Sequence, residues 1–89
     1  MTRNERINEL INQIKRYSDS LFEQNDTLGG SVAYAYATRI SLAFRGLANE
    51  SVSVIANEMI HFEDGCKEGL LGYVLKNYGE ELLHGLELN

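Results

Sequence analysis

The chain has 89 residues, 44% of them hydrophobic, with eight Lys+Arg against 13 Asp+Glu for a formal charge of -5. That size holds one small packed domain over residues 1–89, and the acidic balance opposes broad attachment to nucleic acid phosphates or anionic lipid. A single cysteine, Cys66, excludes an internal disulfide, and the charged start "MTRNERINEL" has no apolar run of signal-peptide or membrane-span length, so the expected compartment is the cytoplasm.

The first predicted element is an amphipathic helix in "ERINELINQIKRYSDSLFEQND". Ile7, Leu10, Ile11, Ile14, Tyr17, Leu21 and Phe22 recur at spacings of three and four, and polar residues fill the intervening positions. This nearly heptad seam reads as core packing ahead of a dedicated oligomer seam. "NDTLGG" then reads as a turn centred on Gly29–Gly30, with Ser31 as the N-cap of the next helix.

"SVAYAYATRISLAFRG" supports two periods. As a strand over 32–44 it alternates cleanly and would make the protein α+β. As a helix it gathers Val32, Ala33, Tyr36, Ala37, Ile40, Ala43, Phe44 and Leu47 within an arc of about 140°. Alanine is a poor strand residue and the best helix former, and the pattern outruns a normal strand, so helix is the reading adopted. Ala33, Ala37 and Ala43 would admit a close neighbouring helix.

"LANESVSVIANEMIHFEDG" reads as a loop and a third helix. Asn49 or Ser51 is its cap, Val52, Ile55, Ala56, Met59, Ile60 and Phe62 point inward, and Gly65 is its stop. The last helix is expected from Cys66 to about Leu83, burying Leu70, Leu71, Val74, Leu75, Tyr78, Leu82 and Leu86. Gly65, Gly69, Gly72 and Gly79 would form a small-residue stripe on its opposite side, with Gly79 as the point where the helix breaks.

Chemistry-bearing patterns are few. Glu58 with His61 and Glu81 with His84 each form Glu-x-x-His, which on a helix can offer a carboxylate and an imidazole to one metal. Both histidines, however, fall on the solvent side of their helices, so these four residues rank as minor metal candidates, and neither a resident metal nor a cofactor is expected. Cys66 has no histidine beside it to make a nucleophile. The glycines of "GLLGYVLKNYG" lack the strand and spacing of a phosphate-binding turn. A helix-turn-helix reading of residues 40–62 fails on charge, because its second helix carries acids and no lysine or arginine, so DNA binding is disfavoured.

The outer face of the second helix is the candidate for recognition. Tyr34, Thr38, Ser41 and Arg45 are spaced by four, three and four, with Arg39 to one side and Leu42 among them. Their hydroxyls and guanidinium groups suit an acidic protein surface, a carboxylate or a phosphate.

These features predict an all-α antiparallel bundle of three to four short helices, a homo-oligomer through an alanine- or glycine-rich face. The expected function is non-enzymatic: occupation of a protein partner's surface, in the manner of small inhibitors, antitoxin-like proteins or phage and plasmid counter-defence proteins. The alternatives are a binder of a small anionic ligand such as a nucleotide, and a metal-binding oligomer through the Glu-x-x-His pairs.

Overall fold

The computed structural model describes residues 1–62 and 70–89. The described residues form four helices and no strand: α1 Arg3–Glu23, α2 Thr27–Phe44, α3 Val52–Ile60 and α4 Leu70–Leu86. They close as a ring in which α1 packs on α2 and α4, and α3 on α4 and α2. Residues 32–44 lie within α2, so the helical period governs the tyrosine-alanine segment and the strand alternative falls.

The chain turns between α1 and α2 at Asn25, not at the glycine pair. Asn25 adopts φ 64, its N–H donates to the Phe22 carbonyl, and the Asp26 N–H donates to the Leu21 carbonyl at 2.8 Å, which together close the last turn of α1. Asp26 then caps α2, its carboxylate accepting from the Gly29 N–H at 2.9 Å. Ser31 is therefore inside the helix rather than at its cap. Gly29 and Gly30 are buried in its first turns, where a Cβ on Gly30 would lie 2.9 Å from the Phe22 ring.

The other boundaries follow from capping groups. Thr2 and Glu5 form a reciprocal capping box at the start of α1. At the end of α2, Gly46 takes φ 74 while Leu47 N–H reaches the Leu42 carbonyl and Gly46 N–H the Ala43 carbonyl. That reversal ends the helical face before Leu47, which is 63% exposed rather than inward. Ser51 caps α3 by accepting from the Val54 N–H at 3.2 Å. Helix α3 stops at Ile60 with His61 as its cap, ahead of the expected stop; Gly65, Cys66 and Gly69 lie outside the described residues. Helix α4 continues past Leu83 to Leu86.

The core joins all four helices: Ile7, Leu10, Ile11 and Ile14 of α1, Tyr36, Ala37 and Ile40 of α2, Val52, Ile55, Ala56 and Met59 of α3, and Leu75 and Leu82 of α4. Each large aliphatic side chain here contributes about 1.5–3 kcal/mol through burial. Ser18 is also buried and donates to the Gly30 carbonyl at 2.7 Å, so its hydroxyl is satisfied and ties α1 to α2. Besides Leu47, two expected core residues lie outward: Leu70 at the described start of α4 is 64% exposed, and Phe22 lies partly open over Gly30.

Small residues serve contacts within the chain. Ala33 and Ala37 are fully buried. Gly79 does not break α4 and does not face away from the leucines: it is buried against α3, where a Cβ would meet the Ala56 carbonyl oxygen at 2.6 Å. Gly85 lies against Arg6 and Ile7 of α1. These alanine and glycine faces are occupied by the chain's own helices.

Candidate binding surface

Helix α2 turns one side to the core and leaves the opposite side open. At about 100° per residue, Leu28, Ser31, Ala35 and Leu42 form its outermost line, and Thr38 sits next to them. Tyr34, Ser41 and Arg45 occupy the flank nearer α1, on the side where Gly30 meets Ser18 and Phe22. Leu28 is 77% exposed, Tyr34 54% and Leu42 37%; Ser31, Ala35, Thr38 and Arg45 are exposed and Ser41 half-buried.

This face differs in charge from the exposed sides of α1 and α4. From Thr27 to Leu42 no exposed residue of α2 is ionised, whereas α1 exposes Arg3, Glu5, Lys15, Arg16, Asp19 and Glu23, and α4 exposes Lys76, Glu80 and Glu81. In a chain of net charge -5, an uncharged helix face carrying a tyrosine and two leucines has the composition of a contact surface.

Arg39 lies on the other flank and is engaged. Its Nε and Nη2 donate to the two Glu50 carboxylate oxygens at 3.0 and 2.7 Å, and its Nη1 and Nη2 donate to Glu58 at 2.6 and 3.2 Å. The guanidinium also stands 5.5 Å from the centre of the Tyr36 ring. Hydrogen bonds to both carboxylates hold its proton more tightly than usual, and the same bonds keep Glu50 and Glu58 below the ordinary carboxylate range. Burial, reinforced by the Glu58 carboxylate, pushes the Tyr36 hydroxyl up to about 12. Phe62 meets the Tyr36 ring edge-on at 6.1 Å. The cluster clips α2 to α3 and the loop before it.

Arg45 sits where the open face meets a groove of about 450 Å³ lined by Arg3, Asn4, Phe44, Ser51, Ser53 and Leu86, among others. Neither Arg3 nor Arg45 is in an ion pair among the described residues. The Glu-x-x-His residues are not gathered: Glu58 is bound by Arg39, Glu81 by Arg6 at 2.7 Å, and the ring of exposed His61 contacts the Asn57 carbonyl at 2.8 Å. His84 is exposed on α4. Among the described residues no group of three or more His, Cys, Asp or Glu could hold a metal ion, and no helix is long and apolar enough to cross a membrane.

Comparison with protein-family models, curated proteins and solved structures finds no match.

Of the five residues expected to form the recognition stripe, the structure keeps Tyr34, Thr38, Ser41 and Arg45 on one open flank and removes Arg39 to the other. Leu28, Ser31 and Ala35, outside that stripe, are exposed on the same side of α2, and the sequence carries a signal for them. Leu28, Ala35 and Leu42 recur every seven residues, and Ser31, Thr38 and Arg45 do the same between them.

Proposed function

We propose that this protein is a non-enzymatic binding protein that acts by occupying the surface of a protein partner with the outward side of α2. Tyr34, Thr38, Ser41 and Arg45, on the flank beside its outermost line, supply the polar and aromatic contacts. The observation that carries this reading is the uncharged, partly apolar face of α2 on an otherwise charged, acidic molecule. The absence of paired cysteines favours a reducing compartment, and we assign the cytoplasm.

The test is capture of partners from the native host by tagged wild type and by Tyr34→Ala/Thr38→Ala/Arg45→Ala, compared by quantitative mass spectrometry. The variant removes only exposed groups, so its melting temperature stays within about 3 °C of wild type while specific enrichment falls about tenfold or more. Equal enrichment by both proteins removes this face from the function.

A second reading follows from the groove. Arg3 and Arg45 with the hydroxyls of Ser51 and Ser53 suit a small anionic ligand such as a nucleotide. Thermal shift with a nucleotide panel tests it: stabilisation that Arg3→Ala/Arg45→Ala abolishes supports the ligand, and no shift with any nucleotide ends it.

A further inference from the structure

We infer that the outermost line of α2 pairs with a second copy of the same chain, antiparallel, about a two-fold axis passing beside Ala35. The inference rests on the reading of α2 as the contact face and names one occupant for its centre. Three observations support it.

The line is built on the seven-residue repeat Leu28–Ala35–Leu42 with Ser31 between its first two members, all exposed in the chain, and Thr38 and Arg45 carry the Ser31 spacing onto the adjoining flank. A seven-residue repeat keeps one side of a helix facing a single partner helix along its length. Ala35 at the midpoint lets the two backbones approach, and its equal distance from Leu28 and Leu42 makes the line self-complementary under a two-fold: Leu28 of one copy meets Leu42 of the second at both ends.

Charge selects the same arrangement. Two chains of net charge -5 repel, and the α2 face is where they meet without opposing carboxylates. Antiparallel pairing about Ala35 also sets Arg45, at the end of α2, level with Asn25 and Asp26 of the second copy, at the start of α2. Asp26 is exposed, and its carboxylate accepts from the Gly29 N–H, so an oxygen remains open for the guanidinium. Parallel pairing would instead set Arg45 beside Arg45.

The symmetry has a functional consequence. An axis perpendicular to the plane of two antiparallel helices carries one side of the first helix to the same side of the second. The two Tyr34–Thr38–Ser41–Arg45 flanks then lie together on one side of the seam as one doubled surface, and the two Arg39 clusters lie together on the other.

Sedimentation equilibrium on the full chain from about 5 to 200 μM is expected to give twice the 10.0 kDa chain mass. Ala35→Glu sets two carboxylates across the axis and weakens dimerisation by about tenfold or more, with unchanged helical circular dichroism. In a Cys66→Ser background, Ala35→Cys forms a disulfide dimer with itself, and Leu28→Cys cross-links to Leu42→Cys in preference to itself. A chain mass of 10.0 kDa throughout, a dimer indifferent to Ala35→Glu, or Leu28→Cys linking mainly to itself each overturns the pairing. A monomer whose partner capture still depends on Tyr34 sinks the dimer and leaves the proposed function; a dimer whose capture ignores Tyr34, Thr38 and Arg45 does the reverse.

Discussion

Gly79 of α4 lies against the backbone of Ala56 in α3, so close that a Cβ on Gly79 would stand 2.6 Å from the Ala56 carbonyl oxygen and 2.8 Å from Ile60 Cγ1. The missing side chain sets the spacing of these two helices. Gly79→Ala forces α3 away and is expected to destabilise by about 1–3 kcal/mol, despite alanine's higher helix propensity. Gly85→Ala meets only side-chain atoms, Arg6 Cγ and Ile7 Cδ1 at 3.1 Å, which can shift. Urea unfolding of both variants should therefore show a clearly larger loss at Gly79.

The turn at Asn25 makes a separate backbone prediction. With φ 64 at this position, Asn25→Ala places a Cβ in the left-handed region and should cost about 1 kcal/mol, whereas Asn25→Gly should cost nothing measurable. Gly46→Ala, at φ 74 with open space around it, should lose stability by the same backbone mechanism. Matched denaturation curves for the three variants check the rank order.

Acid should weaken the clip between α2 and α3. Arg39 lowers Glu50 and Glu58 from the ordinary 4.5, so their contribution is complete above that value and is lost as pH falls through the lowered titrations. Stability measured from pH 7 downward should fall below about pH 4.5, and less steeply in Arg39→Met. The capping box lowers Glu5 in the same direction, so a residual slope should remain in the variant. Identical slopes for the two proteins would remove Arg39 as the cause.

Alkali acts through Tyr36. Its hydroxyl is raised from 10.0 to about 12, so the folded state favours the neutral phenol; this stability is full below pH 10 and is lost as pH rises toward 12. Tyr36→Phe should flatten the alkaline limb of the stability profile. An unchanged limb would place the alkaline transition elsewhere.

The open face of α2 should tolerate charge without unfolding. Leu28→Lys and Leu42→Lys each remove an exposed side chain, so thermal stability should change by less than about 0.5 kcal/mol apart from any loss of self-association. A loss of several kcal/mol measured at monomer concentrations would show that these leucines belong to the fold.

Much of the architecture was legible in the residues because helical periodicity reports burial directly. The spacing points Ile7, Leu10, Ile11 and Ile14, then Ala33, Tyr36, Ala37 and Ile40, inward, and all eight are buried. Adjacent glycines carry the stronger turn signal, so the sequence places the turn between α1 and α2 too late in the chain. Asn25 supplies the left-handed residue instead, and Gly29 and Gly30 are small because Asp26 and Phe22 occupy the space beside them. The helical period places Leu47 inward only if it continues past the reversal at Gly46, and the cap geometry stops that period one turn earlier.

The candidate surface divides in the same way. Tyr34, Thr38, Ser41 and Arg45 share a flank by helical spacing alone, and the structure leaves that flank open. Arg39 is adjacent to Thr38 in sequence, but Glu50 and Glu58 reach it only after the loop folds α3 back along α2. Helix α2 is also apolar on two sides, so its own pattern distinguishes them weakly; the packing of α1 and α3 decides which side is hidden.

From the sequence alone came the helical class, most of the inward residues and one flank of α2, because each depends on spacing within a single element. Which small residues bring helices together, which arginine is neutralised and which apolar line of α2 stays exposed were decided by the tertiary structure. Those properties depend on atoms from elements far apart in the chain, whose separations no local pattern records.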